Sequence, residues 1–160
     1  LLKDALPYYA ATIPKAPKRA VFVGAGSLAF AAREAALKVM ELSAGTIPAL
    51  WDSTLGFRHG PKSFMTDETF ITVFVSSDPA TARYDRDLVT ELRAQFPKAT
   101  VHTIDVPIDD AWGAPIAIAF AQIAGVMWSS QLGLNVDDPF IGRGTLSRVV
   151  AGVKLYPVTT

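Results

Sequence analysis

Two short stretches, Arg19 to Val23 (RAVFV) and Thr69 to Ser76 (TFITVFVS), are apolar at nearly every position. A strand with one wet face alternates apolar and polar residues, so a run without alternation has both faces buried. Each run is followed by a longer helical pattern. Ser27 to Leu42 (SLAFAAREAALKVMEL) is rich in Ala and Leu. Ser27 is expected as its N-cap and Gly45 as its stop. Thr81 to Phe96 places Tyr84, Leu88, Leu92 and Phe96 on one face at i+4 spacing. Buried strands alternating with helices predict a parallel sheet covered on both sides.

Two further strands are expected, at Thr46 to Trp51 and Thr100 to Val106. The segment Asp52 to Thr66 holds Gly56, Gly60 and Pro61, and reads as a loop with a helical turn or two. Ala111 to Leu134 reads as a long apolar helix, and Val149 to Leu155 is a short apolar stretch near the end. Four or five strands in 160 residues fit one domain, a flavodoxin-like three-layer αβα sandwich. Leu1 to Lys18, with Pro7, Pro14 and Pro17, is expected to be a lead-in or linker, and residues 19–160 the domain proper.

Composition narrows the function. Fifteen Lys and Arg balance fifteen Asp and Glu, so the surplus of positive charge that non-specific nucleic-acid binding needs is missing. There is no Cys and there are only two His, which excludes thiolate chemistry and disfavours a multi-histidine metal site. No metal or cofactor is expected. The start lacks a basic region followed by an apolar one, so no secretory signal is read and the cytoplasm is the expected compartment. The chain opens on Leu1 rather than Met, which raises the expectation of a piece of a longer polypeptide. Residues 111–136 carry no formal charge. The polar and helix-breaking residues inside that stretch favour a buried helix at a subunit or domain interface over a membrane span.

Three features bear on chemistry. Gly24-Ala25-Gly26-Ser27-Leu28-Ala29 matches G-x-G-x-x-A at a strand-to-helix turn. Glycines there admit a phosphate to the backbone, and Asp52 ends the next strand where a nucleotide ribose would be held. The same residues also suit a plain tight turn. Glu34, Lys38 and Glu41 are spaced for ion pairing along one helix face. His59 precedes Gly60-Pro61 on a polar loop and is free to project into a cleft, whereas His102 lies inside a strand pattern and is expected to be structural.

The block REAALKVMELSAGTIPALWDSTLGFRHGPKSFMTDE resembles the second sugar-isomerase (SIS) domain of the tagatose-6-phosphate ketose/aldose isomerase and galactosamine-6-phosphate deaminase family. That family is similar to the isomerase half of glucosamine-6-phosphate synthase. The strand ending FVGAG, the helix E-x-A-L-K-x-x-E, the loop DSTLGFRHGPK, the strand VFVSSDP and the ending DDPFIGRGTLSRVVAGVKLYP match in order, from Arg19 to Pro157.

The resemblance implies aldose–ketose isomerisation of a sugar phosphate, with or without loss of ammonia. A proton moves between C1 and C2 through an enediol or enolamine. By this similarity Glu41 matches the proton-shuttling carboxylate and Lys38 the lysine beside it. His59 matches the ring-opening histidine, which in relatives serves the neighbouring subunit. Arg148 sits near a C-terminal lysine of relatives, but Arg cannot form a Schiff base. Gly24, Gly26, Ser27, Ser53, Thr54 and Arg148 are the candidate substrate contacts. The family's Ser/Thr-rich phosphate loop is missing. The nearest stretch is Ser76-Ser77-Asp78-Pro79, where Asp78 repels phosphate. In the family that loop belongs to the first SIS domain, so the chain is expected to be the second of a pair. It would work as a homodimer or beside a paired SIS domain. A non-catalytic sugar-phosphate-binding or dimerisation module and a nucleotide-binding domain are the alternatives.

Overall fold

The computed structural model describes residues 2–142 together with Lys154, Tyr156 and Pro157. The described elements run α1 (Leu2–Thr12), β1 (Arg19–Gly24), α2 (Ser27–Leu42), β2 (Ala49–Ser53), α3 (Thr54–Phe57), a 3₁₀ turn (Pro61–Phe64), β3 (Thr69–Val75), α4 (Pro79–Gln95), β4 (Thr100–Asp105) and α5 (Asp110–Gln131). The four strands form one parallel sheet in the order β2-β1-β3-β4.

Alternate residues of the two central strands feed opposite faces. Ala20, Phe22, Phe70 and Phe74 pack with Ile104 against α2, α5 and α1. Val21, Val23, Ile71, Val73 and Val75 pack against α4, Phe57 and Met65. The expected three-layer sandwich follows directly.

Several sequence expectations need correction. The segment read as a lead-in contains α1, which docks on the core. Tyr9 is buried, its ring meets Phe120 edge-on at 5.4 Å, and Trp128 Nε1 donates to the Pro14 carbonyl at 3.0 Å. Pro7 lies inside that helix without preventing it. β2 begins at Ala49, three residues later than read, because Ser43 to Thr46 still close the C-terminus of α2. There Gly45 stops the helix as expected. At φ 73° its N–H reaches the Met40 carbonyl at 2.8 Å. The N-cap of α2 is Gly26, not Ser27, and no side chain caps it. On α4, Tyr84 is 55% exposed, and the buried side chains are Asp85, Leu88, Val89 and Leu92.

Helix α5 is long and apolar enough by composition to span a membrane. Here Ile116, Ala117, Phe120, Ala121, Ala124 and Trp128 bury it in the same chain's core. The expected burial of this helix is met on one face by α2 and α1 of the same chain, while Trp112 and Val126 stay exposed. His102 is structural, as expected. It stacks on Phe120 at 4.6 Å and on Phe70 at 6.0 Å, and its Nδ1 is buried without a partner.

Two outcomes follow. Phe120→Ala lowers unfolding free energy by about 3–5 kcal/mol in urea titration, the cost of an aromatic-sized cavity, while Trp112→Ala changes it by less than about 0.5 kcal/mol. Burial holds the His102 imidazole below its usual pKa. The unfolded chain then takes up a proton near pH 6.5 that the folded chain refuses. That share of stability is full above about pH 6.5 and is lost as pH falls toward the depressed folded value. His102→Phe, compared with the parent at pH 7.5 and 5.5, loses less stability on acidification; parallel losses contradict this.

Candidate functional site

In an open α/β sheet, ligands bind outside the C-terminal strand ends where the strand order reverses. Here that point lies between β1 and β3, at the turns Gly24–Ser27 and Ser76–Pro79. Gly24 is obligatory. A Cβ there would lie 2.7 Å from the Leu28 carbonyl oxygen. Gly26 holds φ 54° and leads straight into the uncapped N-terminus of α2. No side chain caps the first turn of α2, where the Leu28 and Ala29 N–H groups donate to the Ala25 and Gly26 carbonyls at 2.9 and 3.2 Å.

The β3–α4 turn is different, because carboxylates of the chain already occupy it. Asp110 Oδ2 accepts from Ser76 Oγ at 2.5 Å, and Asp110 Oδ1 accepts from Ser77 N at 2.7 Å and Ser77 Oγ at 2.9 Å. Asp78 caps α4 through the Ala80 and Thr81 N–H groups and the Thr81 hydroxyl. These hydrogen bonds, the Thr81 hydroxyl first, lower its pKa. Both serines and the helix start, the groups that would hold a phosphate, are therefore committed to Asp110 and Asp78.

Behind this turn lies a carboxylate that sequence reading missed. Asp85 is fully buried. It accepts from Thr54 Oγ1 at 2.5 Å and from Ser76 N at 2.9 Å, tying α3, α4 and the end of β3 together. Burial is the main cause that raises its pKa, opposed by these two hydrogen bonds. The polar pair Thr54 and Asp85, far apart in sequence, carries no recognisable local signal.

The candidate residues therefore occupy distinct places. Thr54 is a buried structural hydroxyl rather than an open contact. Ser53 Oγ accepts from Gly56 N at 3.1 Å and donates to Asp52 Oδ1 at 3.3 Å. Asp52 also accepts from Ser53 N at 2.6 Å, so the carboxylate that a nucleotide reading assigns to ribose is turned onto its own loop. Gly24, Gly26 and Ser27 line the switch point. His59 is exposed, and its imidazole has no hydrogen-bond partner among the described residues. Arg148 lies outside the described residues, as does the stretch 149–155 apart from Lys154.

Lys38 and Glu41 sit at the far end of α2. A rise of about 1.5 Å per residue puts about 21 Å of helix between Ser27 and Glu41. Lys38 Nζ donates to Glu41 Oε2 at 2.7 Å and lies 3.4 Å from Glu34. The hydrogen bond to Glu41 is the main cause that raises the Lys38 pKa, so the side chain stays an ammonium. Both side chains are 28% exposed. Glu34, which pairs with Lys38, lines a groove of about 360 Å³ with Phe30, Arg33, Leu37, Met40 and Trp51, whereas Lys38 and Glu41 are not part of its lining. The His59 loop lies on the α4 side of the sheet, where Arg58 and Lys62 reach Glu91, whereas Glu41 is on α2, which packs on the other face. One copy does not bring them together.

Comparison with known proteins places this geometry. Residues 15–123 match the family model of the SIS domain. D-galactosamine-6-phosphate deaminase AgaS of Escherichia coli is 42% identical over 158 residues, covering 88% of this chain and 41% of that protein. The same enzyme of a Shewanella species is 40% identical over 148 residues, covering 88% of this chain and 38% of that protein. The crystal structure of tagatose-6-phosphate ketose/aldose isomerase from Escherichia coli superposes with a TM-score of 0.79 at 36% identity, over 99% of this chain and 45% of that one. The chain belongs to the SIS domain family. It spans less than half the length of these relatives.

Asp85→Ala leaves the Thr54 hydroxyl and the Ser76 N–H buried without an acceptor. It lowers unfolding free energy by about 1–3 kcal/mol per stranded group in urea titration, and an unchanged midpoint contradicts the role given to this carboxylate.

Proposed function

We propose that the chain is the acid–base half of a sugar-phosphate isomerase that releases ammonia from an amino sugar phosphate of the galactosamine 6-phosphate type. One observation carries this reading. Glu41 and a protonated Lys38 are hydrogen-bonded to each other on the outward side of α2, where Glu34, the second partner of Lys38, lines an open groove. The named activity of the relatives supports the substrate class.

In this reading His59 assists ring opening. Glu41 takes the C2 proton and returns it to C1. The enolamine becomes an imine at C2, with Lys38 beside the oxyanion that develops at O1. Water then adds at C2 and ammonia leaves, so the last step is a hydrolysis. No step calls for a metal or an organic cofactor. A sugar phosphate is charged and does not cross a bilayer unaided, which supports a cytoplasmic setting.

The substrate phosphate would be gripped by a second SIS domain bearing a Ser/Thr-rich loop, upstream in the same polypeptide or on another chain. This chain is then the second domain of the pair. The occupied β3–α4 turn supports that division of labour. So does the apolar face of α2, where Phe30 is 71% exposed, Leu37 40% and Met40 37% beside Trp51. A paired domain or second copy covering this face would also bring its own His59 equivalent toward Glu41.

The test is turnover of galactosamine 6-phosphate, followed by ammonia release, for the chain alone and joined to such a domain. The chain alone is expected to be nearly inactive and the joined form active. Glu41→Gln in the joined form then lowers kcat by about 10²–10⁴-fold, the usual worth of a general base. Undiminished turnover of that variant refutes the assignment. A joined form that binds the sugar phosphate without turning it over favours a binding module instead.

A further inference from the structure

We propose that Glu91 is a positioning residue for His59, acting through the two cations that bracket His59 in the chain. This rests on the ring-opening role given to His59 above. Arg58 Nη1 lies 2.7 Å from Glu91 Oε2, and Lys62 Nζ donates to Glu91 Oε1. One carboxylate of α4 therefore spends each oxygen on a different cation, one residue before His59 and three residues after it.

An isolated surface ion pair contributes little, and three features set this one apart. The side chains are largely covered, with exposures of 31% for Arg58, 24% for Glu91 and 22% for Lys62. Arg58 Nε is buried with no partner, so neutralisation of that guanidinium depends on Glu91. The same helix also grips the start of the loop, through the buried Asp85 and Thr54 Oγ1. Helix α4 thus holds the segment on both sides of His59. Lys62, first, and Arg58 keep the Glu91 carboxyl below its usual range, so the clamp stays ionised at neutral pH.

The loop has reason to need holding. Gly56 and Gly60 loosen its backbone, and Arg58 and Lys62 repel each other once Glu91 is removed. A general acid–base group works only when held within a fraction of an ångström of its productive position. His59 has no hydrogen-bond partner of its own among the described residues, so its placement is inherited from the backbone between two clamped cations.

The experiment has two arms. In the first, amide hydrogen exchange of the chain is followed at His59, Ser63 and Met65, whose N–H groups bond to Gly56, Gly60 and Lys62 carbonyls. Glu91→Gln is expected to speed exchange there at least tenfold and to leave β3 unchanged. Glu91→Asp restores most of the protection. Unchanged exchange in the loop, or equal acceleration in β3, overturns the proposal. In the second arm, Glu91→Gln and His59→Ala are combined in the form that turns over galactosamine 6-phosphate. Glu91→Gln alone is expected to lower kcat about tenfold with KM within twofold, and to change kcat less than twofold in the His59→Ala background. Additive losses overturn this proposal alone. A His59→Ala variant with normal turnover overturns the role given to His59, and this proposal with it.

Discussion

The close approach of two small-residue helix faces governs everything else in this domain. Ala31, Ala32, Ala35 and Ala36 of α2 and Ala117, Ala121, Ala124 and Gly125 of α5 are all buried. A Cβ on Gly125 would lie 2.7 Å from Leu42 Cδ1, so the Leu42 side chain fills the space that a larger residue on α5 would need. That seam consumes one face of α2 and leaves the opposite one outward. The outward face carries Phe30, Glu34, Leu37, Lys38, Met40 and Glu41. The Lys38–Glu41 ion pair is on the surface because alanines, and not larger side chains, hold the helix to its neighbour.

Electrostatics divides the C-terminal edge of the sheet into two unlike halves. Beside β1 the start of α2 is uncapped and glycine-lined. Beside β3 the comparable turn is filled by Asp78 and Asp110, with Asp85 beneath. An internal carboxylate satisfies the same serine hydroxyls and helix N–H groups that an external phosphate would use. It costs no ligand-binding entropy, so it is held permanently. A turn built this way is a structural joint linking β3, α4 and α5.

The legible part of the sequence was the part governed by burial. RAVFV and TFITVFVS have no polar side to offer solvent, so their place in the middle of a parallel sheet was plain, as was the helix from Ser27 to Leu42. Three things were less visible. Helix α1 hides behind Pro7, because its docking depends on Tyr9 and Trp128, which lie more than a hundred residues apart. The face of α4 was misjudged because i+4 spacing drifts around a helix. Tyr84 ends outside, and Asp85 takes the buried place with a partner in another element. The cover that α2 and α1 give one face of the long apolar α5 was not visible, because those elements were read separately. Lys38, Glu41 and His59 were proposed through their motif. That Lys38 and Glu41 lie on the opposite face of the sheet from the His59 loop appeared only once the elements were assembled.

Division of phosphate binding from acid–base chemistry is the central claim, and equilibrium binding tests it most directly. Galactosamine 6-phosphate is titrated calorimetrically into the chain alone and into the chain joined to an SIS domain with a Ser/Thr-rich loop. The account predicts no saturable heat for the chain alone up to about 1 mM, and binding at least about 100-fold tighter for the joined form, as two or three charge-assisted hydrogen bonds would supply. Micromolar binding by the chain alone would contradict it and would mean that these residues contain a complete phosphate site.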